Sequence, residues 1–131
     1  MLVGDAGTGI GSRIKGHARR GGKKLRKEHI KHCPVVITDE YRSSRTCTYC
    51  YHELQTARYR RTKDGKDQIV RVHGALECTN SDCPSFQIGY TIRPRDAQAA
   101  VAIAIAGVST LLSPAHEPIA PLARTSTTIQ Q

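Results

Sequence analysis

Apolar residues are spread unevenly along this chain, and their spacing sorts it into short extended runs, two helical stretches and a polar tail. Leu2-Val3-Gly4 reads as the end of a strand, and it leads into a glycine-rich loop that runs to Gly11. Between Arg19 and His32 the residues are mostly cationic, and the second half of that stretch predicts a short basic helix with Leu25 and Ile30 as its few apolar contacts. Val35-Val36-Ile37-Thr38 is a compact β-branched run, long enough for one buried strand, and it ends in Asp39-Glu40-Tyr41. Residues 57–63 and 68–74 are strand-like and flank Asp64-Gly65, a dipeptide that favours a tight hairpin turn. Residues 86–92 alternate enough to predict a further strand. Residues 97–107 are alanine-rich and predict a helix, with Asp96 suited to cap its start and Gly107 to end it. Its small side chains permit close packing on a sheet. From Ser113 onward proline, serine and threonine rise and periodicity is lost, which predicts a disordered tail over 113–131. The fold class expected from these elements is α/β.

Four cysteines change that picture from a list of elements into an organised unit. Cys47 and Cys50 form one close pair, Cys78 and Cys83 a second, and the predicted hairpin lies between them. One hairpin brings both pairs together, and four sulfurs complete a tetrahedral zinc shell of the zinc-ribbon kind. Such a shell leaves no open position for water or substrate, so zinc there is structural. The competing readings are disulfides or unrelated buried thiols. Disulfides need an oxidising compartment, and Met1-Leu2-Val3 leads into glycine-rich polar sequence with no secretory signal. Cys33, far upstream beside Pro34, reads as a structural thiol. His52 and His73 flank the ribbon and are expected on its surface, because four cysteines already fill the site.

Charge adds a candidate partner. The 131 residues carry 20 Lys and Arg against 11 Asp and Glu, a net charge of +9. That length allows one modest domain, with little apolar core left beside the ribbon. A basic balance favours polyanions, nucleic acid first, through phosphate neutralisation and counterion release, although it also serves ordinary solubility. The hairpin concentrates the charge. Arg58, Tyr59, Arg60, Arg61 and Lys63 fall on one strand, and Lys66, Arg71 and His73 on the turn and the other strand. Arginines interleaved with Tyr51 and Tyr59 suit stacking on bases while phosphates are held. The same residues would also serve as a solubilising surface. The apolar stretch 99–108 is too short to span a membrane, so no membrane partner is expected. A phosphate-loop reading of the N-terminal glycines fails on chemistry. Gly11 and Gly16 have the spacing, but His17 and Ala18 stand where lysine and a hydroxyl belong.

The order of features also resembles a known family. Asp39-Glu40-Tyr41-Arg42-Ser43-Ser44-Arg45-Thr46-Cys47-Thr48-Tyr49-Cys50, a basic hairpin, a second cysteine pair and then Arg95-Asp96 opening an alanine-rich helix resemble the C-terminal end of transposon-encoded RuvC-like nucleases. The similarity is to the TnpB and Fanzor proteins, RNA-guided DNA endonucleases whose ribbon is preceded by an acidic-Tyr-Arg-Thr-Ser-Lys-x-Cys-x-x-Cys segment and followed by Arg-Asp-x-Asn-Ala-Ala-x-Asn-Ile. Ser43 and Arg45 are conservative departures from the first pattern; Gln98 and Ala102 replace the asparagines of the second. The resemblance covers roughly residues 2–112. It implies a partial RNase H-like (RuvC) core with an inserted four-cysteine zinc ribbon, and carboxylates that hold two magnesium ions across a scissile phosphate. In that frame Asp96 occupies the place of the last catalytic acid, and Glu40 that of a displaced second acid.

The family also implies a first aspartate on an early strand, after a long guide-binding region. Asp5-Ala6-Gly7 resembles that aspartate's surroundings, but its distance to the ribbon better suits a later strand. The expected organisation is therefore a partial core over 1–46, the ribbon over 47–84, the last core strand and alanine-rich helix over 85–112, and the tail. The expected function is nucleic-acid binding by the C-terminal fragment of such an endonuclease, inactive alone, with magnesium relevant only to a completed site. Expected partners are DNA, guide RNA and the remaining N-terminal part of the nuclease. The alternative is a freestanding zinc-ribbon nucleic-acid-binding module of the ribosomal or transcription-associated type. The expected location is nuclear in a eukaryote and cytoplasmic otherwise, the cluster at 23–27 being compatible with a nuclear address.

Overall fold

A computed structural model of the chain describes residues 1–4 and 23–124. Asp5, the loop glycines Gly11 and Gly16, His17, Ala18 and the cations Arg19 and Arg20 lie outside the described residues. The chain divides into two compact units, Met1–Tyr41 with Ile103–Gln131, and Arg42–Ala102.

In the first unit, β1 (Leu2–Gly4) pairs in parallel with β2 (Val36–Thr38), in the register Leu2 to Val36 and Gly4 to Thr38. A parallel pair needs a crossover, and α1 (Lys23–Ile30) lies on it. The expected basic helix is present, but Ile30 is 63% exposed and makes no apolar anchor. Leu25's side chain lies outside the described residues. Arg26 instead donates from Nη2 to the Gly4 carbonyl at 3.1 Å. The strand expected to be buried is only partly so: Thr38 is buried while Ile37 is exposed, β1 and β2 being the two strands of this sheet among the described residues.

The alanine-rich helix is longer than expected. α3 runs Arg95–Leu112, so Asp96 sits inside the first turn and Gly107 in the interior. Its residues 103–112 belong to the first unit. There a Cβ on Gly107 would lie 2.6 Å from Leu2 Cδ2 and 2.7 Å from Thr38 Oγ1, so glycine serves close helix-to-sheet approach rather than termination. At eighteen residues and a mean hydropathy of 1.2, α3 is long and apolar enough by length and composition to cross a membrane, which the 99–108 stretch alone is not. Core helices of globular proteins meet the same criterion.

The segment expected to be a disordered tail packs as far as Arg124. Ile119 N donates to Ser109 Oγ at 3.1 Å, a 3-10 turn spans Ala120–Leu122, and Leu122 is buried. Arg124 pairs with Asp39 and lies over the Tyr41 ring. Prolines and serines supplied turns here, and a single leucine supplied the anchor. Residues 125–131 lie outside the described part.

The second unit is a three-stranded antiparallel sheet, order β3-β4-β5, with the cysteine loops at one end. β3 (Gln55–Lys63) and β4 (Lys66–Glu77) form the expected hairpin, both strands longer than their hydrophobic pattern. Asp64 (φ 52°) and Gly65 (φ 70°) are both left-handed, the signature of the type I′ turn whose twist matches the flanking strands. β5 (Ile92–Pro94) pairs with β4. Of the strand expected over 86–92, only Ile92 is extended. Pro84 instead starts a one-turn helix, α2 (Pro84–Gln87), since its fixed φ suits a first helical position.

Candidate metal centre

Two tight turns aim the four thiols at one point. In the first, Cys47 N donates to the His52 carbonyl and Tyr51 N to the Cys47 carbonyl, both at 2.8 Å, with Tyr51 left-handed at φ 58°. The backbone N–H groups of Tyr49 and Cys50 consequently point at the Cys47 sulfur, and that of His52 at Cys50. In the second, Asp82 N donates to Asn80 Oδ1 at 3.1 Å and Cys83 N to the Asn80 carbonyl at 3.1 Å. Asn80's backbone N–H then faces Cys78, and those of Ser85 and Phe86 face Cys83.

All four sulfurs lie within 4.8 Å of one another. The Cys47–Cys83 and Cys50–Cys78 Sγ separations are 3.9 and 3.7 Å. A tetrahedral ion with metal–sulfur bonds of about 2.3 Å places its sulfurs about 3.8 Å apart. The donor set therefore fits a metal such as zinc. None of the five cysteines forms a disulfide; Cys33 lies in the other unit, with its Sγ 3.7 Å from the His29 carbonyl.

The thiols are also the core. Cys47, Cys78 and Cys83 are fully buried and share their cluster with only Leu54 and Leu76, with Cys50 packed against it. Burial resists thiolate formation, and it pushes Cys78 up to about 12, with the neighbouring thiols adding to the shift. Burial raises Cys50 as well. At Cys83 burial is outweighed by hydrogen bonds, first from Ser85, whose Oγ is 3.1 Å from the sulfur, and the thiol falls to about 6. Cys47 is likewise lowered against its burial, by the Tyr49 N–H and the Arg93 guanidinium. Four thiolates around a divalent ion carry two surplus negative charges, and the local dipoles prepare for them.

Arg93 offsets part of that charge, and sequence reasoning missed it. The residue is 6% exposed. Nη2 donates to Cys47 Sγ at 3.3 Å and to Ser85 Oγ at 2.8 Å, while Nη1 donates to Gln98 Oε1 at 2.9 Å. Tyr49 covers it at 4.7 Å from ring centroid to Cζ. Gln98 Nε2 in turn donates to the Thr46 carbonyl at 2.8 Å, tying the first turn of α3 to the cysteine loop. Read as a sequence, Gln98 is only a replaced asparagine. No local signal marks Arg93: it stands between Ile92 and Pro94, ten residues after Cys83 and 46 after Cys47, whose sulfur it reaches through tertiary register.

The other predicted site residues fall as follows. Arg58, Tyr59, Arg60, Arg61, Lys63 and Arg71 are all exposed on the hairpin, together with His52 and His73. Arg58 lies directly opposite Arg71, and Lys63 opposite Lys66. Asp96 has a side chain 99% exposed, 3.9 Å from Arg95 Nε, and belongs to the second unit. Glu40 belongs to the first unit, half-buried, its carboxylate lying where a Cβ on Gly4 would have to be. Among the described residues, the only group of three or more His, Cys, Asp or Glu able to hold a metal is the four-cysteine cluster. A magnesium-binding carboxylate set is not assembled among them.

Compared with known proteins, no family model matches the chain and no curated protein is significantly similar to it. Fold and site together define a mixed α/β chain with small sheets and a four-cysteine cluster compatible with a zinc ribbon.

Proposed function

We propose that the chain is a zinc-stabilised nucleic-acid-binding segment, the C-terminal part of a transposon-derived RuvC-like DNA endonuclease, and that it binds without cutting. The observation that carries the binding reading is the hairpin. Like charges placed directly opposite each other on a sheet repel, and Arg58/Arg71 and Lys63/Lys66 are two such pairs. A polyanion relieves that repulsion. Exposed Tyr59 and Tyr51 add faces on which bases can stack. The resemblance of residues 40–50 and of Arg95-Asp96 supports the family origin. The exposed, ungrouped Asp96 supports binding without cleavage, since a two-ion site needs several converging carboxylates. Asp96 and Glu40 are the two acids of this chain that the resemblance offers as magnesium ligands in a completed nuclease.

The test is fluorescence anisotropy of the zinc-loaded chain with labelled single-stranded DNA, duplex DNA and RNA. Binding is expected to weaken with salt, and Arg58→Glu, Arg60→Glu and Arg61→Glu combined should reduce affinity about a hundredfold or more with zinc content unchanged. Wild-type affinity in that triple variant overturns the reading. Magnesium-dependent cleavage by this chain alone, abolished by Asp96→Ala, overturns the part that denies it chemistry.

A further inference from the structure

Resting on the reading that this chain binds nucleic acid, we propose that a cleft beneath the hairpin seats a backbone phosphate of the bound strand. The cleft lies wholly within the second unit and measures about 570 Å³. Four basic groups from four separate stretches line it: Arg45 from the lead-in to the first cysteine turn, Arg58 from β3, His73 from β4 and Arg95 from the start of α3. None of Arg45, His73 and Arg95 is part of the hairpin's arginine run, and nothing in their sequence spacing brings them together.

Two structural devices make the convergence. The β3-β4 register slips between Thr56–Leu76 and Arg58–Arg71, so that Ala57 alone faces residues 72–75. This bulge carries His73. β5 then lies beside β4 through Leu76–Arg93, and the chain turns directly into α3, which brings Arg95 to the same place. Bulges that re-aim side chains recur beside functional sites.

The lining decides the ligand class. Pockets for small organic ligands are lined mainly by apolar groups with a few polar ones; here Leu54 and Leu76 are the apolar residues of the lining and the other eight are charged or polar. One acid, Glu53, faces the cleft, and Arg42 offsets it at 3.9 Å. Planar guanidiniums match phosphate oxygens in two-pronged fashion. The ligand is therefore an oxyanion, and the adjacent hairpin, with its row of cations, extends the same field along a strand. A free phosphate has the same oxyanion but gains nothing from the hairpin.

The experiment measures binding of a labelled twelve-residue oligothymidylate to the zinc-loaded chain across a salt series. Arg45→Gln with Arg95→Gln should weaken binding about tenfold or more and lower the magnitude of the salt slope by roughly one, as expected for two lost phosphate contacts on a single strand. His73→Gln, on a different element, should weaken it less. Arg61→Gln with Lys63→Gln serves as the hairpin comparison, and zinc content checks each variant's fold. If the cleft variants, zinc-loaded, bind as wild type does while the hairpin variant weakens, the cleft is not a phosphate site, although the chain remains a nucleic-acid binder. If the wild type binds no oligonucleotide, the binding reading fails and this inference with it. Displacement of the oligothymidylate by an equal concentration of inorganic phosphate would assign the cleft to free phosphate and overturn the strand assignment.

Discussion

The two ends of the β3-β4 hairpin are built on opposite terms. At the base, Leu54 and Leu76 are buried in one cluster with Cys47, Cys78 and Cys83, which have no exposed surface. From Arg58 to Ile69, every residue around the tip is exposed. The base has few apolar groups for an ordinary core, and a metal held by the four cysteines would stand in for buried hydrocarbon. The tip is relieved of any packing role and free to carry like charges in opposition. On the proposed function the base supplies stability and the tip supplies charge for recognition, so changes confined to the tip should leave zinc binding untouched, whereas loss of the base should take the tip with it.

Breaking the base should have the largest effect. Cys78→Ser, or chelation of zinc, is expected to unfold the second unit cooperatively, since structural zinc supplies on the order of 10 kcal/mol in small zinc domains. Circular dichroism and loss of amide protection over β3 and β4 would report it. The contrast breaks if the hairpin keeps its protection without metal.

Acid should act on the same end. Cys83, lowered to about 6, favours the folded state above its unfolded value, and that contribution is lost as pH falls through 6. Cys78, raised to about 12, works in the opposite sense: its contribution is complete below the unfolded value and is lost as pH rises through 12. Near neutrality zinc must therefore displace at least the protons of Cys78 and Cys50, and below about pH 6 that of Cys83 as well. As pH falls, zinc affinity should drop at least about a hundredfold per pH unit near neutrality and more steeply below about pH 6. Competition with a chromogenic chelator across pH measures this; a flat profile excludes the thiol set as the ligands.

Arg93→Met should lower zinc affinity about 10- to 100-fold, the usual cost of losing a partner of a metal ligand. Arg93→Lys retains the charge and loses the fork, and should recover only part of that loss. Cobalt substitution gives a second readout, because the Cys47 thiolate-to-metal band should shift in the Met variant. At the tip, Gly65→Ala should cost about 1 kcal/mol through its left-handed φ, and local hydrogen exchange should show it while zinc affinity stays unchanged.

Much of this contrast is readable from the chain, and the failures have physical causes. The paired cysteines and Asp64-Gly65 announce themselves because metal geometry and turn geometry each demand fixed residue types at fixed spacing. Residues 86–92 looked like a strand because alternation is visible locally, whereas the start imposed by Pro84 and the fold-back of Tyr90 N to the Ser85 carbonyl at 2.8 Å depend on the cysteine loop. Gly107 reads as a helix end because its use, room for Leu2 and Thr38, comes from two strands 105 and 69 residues earlier. Arg93 and the cleft around Arg45, His73 and Arg95 are products of tertiary register, a slip in one ladder and a short third strand, and no local pattern encodes them.

The central claim, that a metal-built base holds a charged tip in place for nucleic acid, is tested most directly by titrating a labelled oligonucleotide into the chain before and after stoichiometric zinc. The account predicts one zinc per chain, binding that appears with zinc and disappears with a chelator, and a return of binding when zinc is restored. Equal affinity with and without the metal would contradict it.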